Sequence, residues 1–227
     1  LEAYEKAKKK IAIYAGVKPN NIALTNGSSH ALELIFSFLL SEKDAVLLAV
    51  PNFVFYTSFE KAKHLKFIKV PYQGSGFLEK FYRRLKSNIR GIYISNPNNP
   101  VGYLFSVEEL RRLISKAAKN KTLVIVDEAY FEFSGVTLRG LIKQFSNLLI
   151  VRTMSKAFGM AGLRIGYIIA NPSVIKILEE VTKRPLTVGQ VGLKKIIGLS
   201  PGDIKKTARQ AREITQVREK LAAFLAH

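Results

Sequence analysis

The chain has 227 residues, 48% of them hydrophobic and 23% charged, enough for one full α/β domain with a large core. Its 36 Lys and Arg against 17 Asp and Glu give a net charge of +19, and the lack of cysteine excludes disulfides and thiolate metal sites. No apolar run approaches a membrane span, no secretory leader pattern opens the chain, and His30, His64 and His227 lack ligand spacing, so neither a membrane protein nor a metal centre is expected.

Leu1 to Ala15 reads as a Lys-rich helix closed by Gly16, with Pro19 soon after. Asn21 to Thr25 is a short predicted strand. Gly27 then opens an almost wholly apolar helix through Ala31, Leu32, Leu34, Ile35, Phe36, Phe38 and Leu39, which implies burial on most sides. Ala45 to Val50 is a continuous apolar run, the pattern of a strand covered on both faces. A helix over about residues 53–63 and a strand over 66–70 follow, then a helix over 77–86 and a buried strand over 91–95. Ser106 as N-cap and Glu109 form a capping box for the next helix. Strands are predicted over 122–126, 148–151 and 165–170, and helices over 172–184 and 188–199. Ser200-Pro201 caps a long polar helix that runs to the end. Strand and helix alternate with short connections and no repeat or linker, the pattern of a doubly wound, mostly parallel sheet. The chain opens on Leu1 rather than Met, so a trimmed piece of a longer protein is expected.

The basic residues do not cluster. Groups such as Lys6/Lys8/Lys9/Lys10, Arg83/Arg84/Lys86/Arg90 and Lys205/Lys206/Arg209/Arg212 fall on the polar faces of predicted helices, without an aromatic-basic RNA-binding signature. Nucleic acid is therefore not an expected partner; solubility and mild attraction of anionic substrates are.

The chemistry gathers where predicted strands stop. Open α/β sheets bind ligands at the carboxyl ends of their strands. Thr25-Asn26-Gly27-Ser28-Ser29-His30 leads from a strand into a helix N-terminus, where free N–H groups and the helix dipole favour an anion, and Gly27 lets the backbone approach closely. Asp127 ends the apolar strand Leu123-Val124-Ile125-Val126, so it should sit near the core and need a partner. Thr153, Ser155, Lys156 and Arg164 follow the strand over 148–151. Two hydroxyls and a guanidinium there suit a phosphate, and a lysine beside a phosphate suits bonding to a carbonyl cofactor.

The run from Thr153 through Ser155-Lys156-Ala157-Phe158-Gly159 to Arg164 resembles the cofactor-lysine motif of pyridoxal-phosphate aminotransferases of fold type I. With Asp127-Glu128-Ala129-Tyr130-Phe131-Glu132-Phe133, it is most similar to histidinol-phosphate aminotransferases. Essentially the whole chain shares the resemblance. It implies a three-layer αβα large domain over residues 1–199 with a seven-stranded, mostly parallel sheet whose last strand is antiparallel. Residues 200–227 would be a connecting helix toward a small domain that this chain lacks. The implied cofactor is pyridoxal 5'-phosphate. Lys156 would bond its aldehyde and carry the substrate's Cα proton, and Asp127 would face its ring nitrogen. Tyr130 and Asn99 would bond its ring oxygen, and Phe53 would stack on the ring. Gly27, Ser28, Ser29, Thr153, Ser155 and Arg164 would hold its phosphate.

Departures from the family pattern are Ser29-His30 at the usual acidic position, Val101 for Thr and Phe53 for Tyr. A fourth is Lys183-Arg184-Pro185-Leu186, where Pro-Tyr is usual. The implied reaction is transamination of L-histidinol phosphate with 2-oxoglutarate, in histidine biosynthesis, by a cytoplasmic homodimer. Another fold-type-I enzyme (an aromatic or aspartate aminotransferase, or a threonine-phosphate decarboxylase) stands as an alternative, as does a truncated cofactor-binding fragment without turnover.

Overall fold

The computed structural model describes residues 2–72, 76–182 and 188–225; Lys183-Arg184-Pro185-Leu186, Leu1 and His227 lie outside the described residues. Its strands are β1 (Ile22–Asn26), β2 (Ala45–Val50), β3 (Lys66–Pro71), β4 (Ile89–Ser95), β5 (Leu123–Asp127), β6 (Leu148–Thr153) and β7 (Ile165–Ala170). They form one seven-stranded sheet in the order β1-β7-β6-β5-β4-β2-β3. β7 runs antiparallel to both β1 and β6, and the other pairs are parallel. This is the mostly parallel sheet, with its last strand reversed, that the sequence led us to expect.

The helices are α1 (Glu2–Ala15), α2 (Gly27–Phe38), α3 (Thr57–Ala62), α4 (Phe77–Arg84), α5 (Val107–Lys119), α6 (Phe131–Ser134), α7 (Pro172–Thr182), α8 (Gln190–Ile197) and α9 (Pro201–Leu225). They cover both faces of the sheet, because successive strand residues point to opposite sides and both sides are apolar. Ile92, Ile94, Val124, Val126, Leu148 and Ile150 pack in a core with residues of α1, α4, α5 and α8. Tyr93, Ile125, Leu149 and Val151, one step along each strand, pack in a second core with residues of α2, α3 and α7. Ser106 and Glu109 form the expected capping box: Glu109 N–H donates to Ser106 Oγ at 3.2 Å, and Ser106 N–H donates to Glu109 Oε2 at 2.8 Å.

Several boundaries differ from expectation. The helix expected over 53–63 is a 3-10 turn, Val54–Tyr56, followed by α3, so Phe53 lies before both. β6 extends to Thr153 because β7 continues the ladder past Val151, pairing Arg152 with Tyr167 and Thr153 with Gly166. The short helix α6 was not foreseen; an apolar-acidic run of four residues carries no readable period. Lys8, assigned to a solvated face, is buried and its Nζ lies 2.7 Å from Glu179 Oε1 in α7. α9 buries only Thr207 and Ala211 among its described residues.

Candidate active site

One cavity, of about 130 Å³, opens at the carboxyl edge of the sheet. Twelve of its thirteen lining residues can be grouped by element. Ser28 and Ser29 come from the first turn of α2, Phe53 from the loop after β2, and Ser95, Pro97 and Asn99 from the end of β4. Asp127, Ala129 and Tyr130 come from the end of β5, and Thr153, Ser155 and Lys156 from the end of β6. The thirteenth is Arg164. It directly precedes β7, and since that strand is antiparallel its beginning lies at the edge where its neighbours end.

Gly27, the remaining sequence-predicted residue, stands behind Arg164. It adopts a φ of +81°, and a Cβ there would come within 2.9 Å of the Arg164 guanidinium. Gly166 carries the same close approach further, since a Cβ on it would lie 2.4 Å from the carbonyl carbon of Gly27. Arg164 itself holds a left-handed conformation, φ 51° and ψ 47°, rare for a side chain with a Cβ. The turn before α2 and the turn before β7 thus press together through residues that leave the least bulk between them. N–H groups at the start of α2 and the Arg164 guanidinium flank the same end of the cavity, a setting for an anion.

Thr153 is buried, and much of its hydrogen bonding is internal. Its Oγ1 accepts from Ser155 N–H at 3.1 Å and lies 2.9 Å from Ser155 Oγ and 3.1 Å from Ile165 O. It shapes the turn that presents Ser155 and Lys156. Lys156 makes no ion pair among the described residues; its Nζ stands 5.4 Å from the centre of the Tyr130 ring. Asp127 is only 7% exposed, with Oδ1 accepting from Ala129 N–H at 3.0 Å and Oδ2 from the Tyr93 hydroxyl at 3.2 Å. Burial pushes its carboxyl up to about 6, against the pull of those two hydrogen bonds and the Lys156 charge.

The asparagine-rich turn sorts itself by hydrogen bonding. Asn96 is tied to Phe105 in both directions, at 3.2 and 2.8 Å. Asn98 donates to Pro51 O and accepts from Val101 N–H. Asn99 makes no side-chain hydrogen bond among the described residues, so its amide is left to the cavity it lines. Phe53 is 43% exposed at the rim and lies parallel to Phe55, with ring centres 6.3 Å apart. His30 does not line the cavity. Its Nδ1 accepts from Asn26 N–H at 3.1 Å, fastening the turn instead.

Sequence reading overlooked Ser95, Pro97 and Ala129 in the lining, and Tyr93 beneath it. A period-two reading of β4 could have found Ser95 and Tyr93, since Ser95 pairs with Asp127 and Tyr93 shares its face. It also overlooked a buried polar cluster on the other side of β5 and β6. There Arg152 Nε and Nη2 donate to Glu128 Oε2 at 3.0 and 2.8 Å, with both side chains 1% exposed. Glu128 Oε1 accepts from Leu138 N–H, the Arg152 guanidinium lies 3.5 Å over the Phe131 ring, and Tyr14 of α1 donates to Glu132 Oε1 at 3.0 Å. Burial pushes the Glu132 carboxyl up to about 7.

The cavity thus has a buried carboxylate able to face a cation, a lysine amine with no ion pair among the described residues, and an anion cradle that a single Cβ would crowd. These residues fit an aromatic, phosphate-bearing carbonyl compound with a basic ring nitrogen. Comparison with known proteins agrees in kind. The sequence profile of the family described as aminotransferase class I and II matches residues 2–227. A histidinol-phosphate aminotransferase of Thermoanaerobacter pseudethanolicus is 37% identical over 204 residues, which cover 86% of this chain and 55% of that protein. The chain therefore spans little more than half the length of that relative. Among solved structures, the histidinol-phosphate aminotransferase of Clostridium acetobutylicum superposes with a TM-score of 0.82 at 26% identity, covering 97% of this chain and 67% of that one. The L-threonine-O-3-phosphate decarboxylase of Porphyromonas gingivalis superposes with a TM-score of 0.74, also at 26% identity, covering 93% of this chain and 63% of that one.

Proposed function

This chain belongs to the class I and II aminotransferases, and from that membership we propose that its cavity binds pyridoxal 5'-phosphate and that the whole protein transaminates L-histidinol phosphate with 2-oxoglutarate. The observation that carries the reading is the meeting of Lys156, Asp127 and Arg164, from three separate strand ends, around one cavity. When bound, the cofactor supplies an aldehyde for an amine to bond and a cationic ring that accepts electrons from a substrate's α-carbon. Arg164, Ser155, Ser28, Ser29 and the N–H groups beside Gly27 anchor its phosphate. Asp127 holds the ring nitrogen's proton through a buried, charge-assisted hydrogen bond. Asn99 and Tyr130 hold the ring oxygen, and Phe53 covers the ring from the rim. Lys156 would hold the cofactor's carbonyl end through its amine and would be the group placed to move a proton at the substrate's α-carbon.

A cytoplasmic homodimer, and a connecting role for residues 200–227 beyond a cofactor-binding domain of residues 1–199, belong to the same proposal. The substrate pair rests on the relatives' names. The resemblance to the Porphyromonas decarboxylase favours a second reading, decarboxylation of an amino-acid phosphate ester. Purified protein given pyridoxal 5'-phosphate is expected to develop a visible absorbance band that Lys156→Ala abolishes. An unchanged band in Lys156→Ala would sink the cofactor reading. The whole protein, assayed on histidinol phosphate and on threonine phosphate, separates amino transfer from carbon dioxide release.

A further inference from the structure

The Asp127 carboxylate has a second partner that the cofactor reading does not use. Tyr93, two residues before the end of β4, is 1% exposed and donates its hydroxyl to Asp127 Oδ2 at 3.2 Å. Its ring is wedged edge-on against Phe36 of α2, with centres 5.8 Å apart and planes at 84°. The ring position is thus set by the core rather than by the site. Burial raises the Tyr93 hydroxyl well above its ordinary range, which favours the neutral, donating form.

We propose, resting on the cofactor reading, that Tyr93 is a positioning residue for the reaction: its hydroxyl fixes the Asp127 carboxylate and keeps it anionic, so that it can hold the cationic ring nitrogen of pyridoxal 5'-phosphate. The geometry gives Tyr93 two effects. With Oδ1 on Ala129 N–H and Oδ2 on Tyr93, the carboxylate plane is pinned from two sides, which leaves the remaining lone pairs to the cavity. The hydroxyl also favours the charged form of a carboxyl that burial pushes toward neutrality. The charged and titratable groups acting on Asp127 besides Tyr93 are Glu128, next to it in the chain, which opposes ionisation, and Lys156, beyond β6, which favours it. Neither hydrogen-bonds to it among the described residues, so Tyr93 supplies the only side-chain hydrogen bond described for this carboxylate. A neutral carboxyl would lack the charge that makes its hydrogen bond to a cation strong.

The test titrates the intact protein with pyridoxal 5'-phosphate from about pH 5 to about pH 9, following the Lys156-dependent visible band in wild type, Tyr93→Phe, Asp127→Asn and the double variant. Tyr93→Phe keeps the ring and its packing, so native circular dichroism is expected. Its affinity should be weaker on the order of tenfold near neutral pH, with the acid-side loss of binding moved to higher pH. In the double variant, Tyr93→Phe should weaken binding no further than Asp127→Asn alone, since it acts through that carboxylate. Tyr93→Met, which fills the space without a donor, should reproduce the shift on different packing. Wild-type affinity and pH course in either variant overturns the proposal and leaves the cofactor reading standing, and so does an additive loss in the double variant. A wild type with no Lys156-dependent band overturns the cofactor reading and this proposal together.

Discussion

Gly166 sits in a strand, where glycine is normally a weakness, yet here no other residue fits. A methyl group would lie 2.4 Å from the carbonyl carbon of Gly27 and 2.7 Å from Ser28 N, inside the turn that opens α2. Those atoms are backbone and cannot rotate aside. Gly166→Ala is therefore expected to push β7 away from that turn, destabilise the protein by about 1–3 kcal/mol in urea, and weaken pyridoxal 5'-phosphate binding. Unaltered affinity in titration would show that the anion end of the cavity tolerates the shift. This is also where sequence reading stopped. Gly27, Ser28, Thr153 and Arg164 each announce themselves by local chemistry, and Asp127 by an apolar strand that ends in a charge. The pressing of Gly166 on Gly27, or of Tyr93 on Asp127, is a relation between residues far apart in the chain. Nothing local to position 166 distinguishes it from ordinary strand filling, and at position 93 the period-two pattern gives the face but not the partner.

Among the elements, β5 and β6 carry Asp127 and Thr153 on one face and the Glu128–Arg152 pair at the same level on the other. Arg152 is read most easily as one more basic residue, and only the pairing of β6 with β7, continued past Val151, turns it inward beside Tyr167. Breaking a buried pair leaves an uncompensated charge, so Arg152→Met should cost about 3–5 kcal/mol in denaturant unfolding. The double variant Glu128→Gln/Arg152→Met should recover much of that loss, because the charge left behind is gone. Purely additive losses would show that packing on Phe131, not charge, is what Arg152 provides. Strand identity and order of appearance were legible here, since β5 and β6 each begin with an unbroken run of four apolar residues, Leu123 to Val126 and Leu148 to Val151. Strand ends were not, because a ladder ends where its partner ends. The break at Val54–Tyr56 likewise keeps Phe53 at the rim where a continuous helix would have carried it away.

For the molecule as a whole, two buried carboxyls leave a signature in pH. Asp127 and Glu132 are raised to about 6 and about 7 from ordinary values of 3.8 and 4.5. The folded protein therefore holds protons that the unfolded chain releases. Their contribution to stability is fully present below the ordinary values and is lost as pH rises through about 4.5–7 for Glu132. His30, lowered by burial, works in the opposite sense, so the single-residue comparison is the informative one. In cofactor-free protein, Glu132→Gln should flatten the pH dependence of the melting temperature across that window and raise it at alkaline pH relative to wild type. An identical slope in the variant would mean that Glu132 titrates normally. The fold at this scale was readable from alternation alone, and the reversed seventh strand from its similarity to known aminotransferases.

That reversed strand also sets an order of assembly. β1 is synthesised before the other six strands of this sheet, yet among the described residues its neighbour in the sheet is β7, which lies between it and β6. A growing chain can zip β2 through β6 together as they emerge, but its first strand has nowhere to dock until the seventh is made. Contacts across so long a stretch of sequence form slowly. The Gly27 turn and Arg164 consequently meet only after β7 has been made, and a nascent polypeptide cannot form the anion end of the cavity until that strand closes the gap.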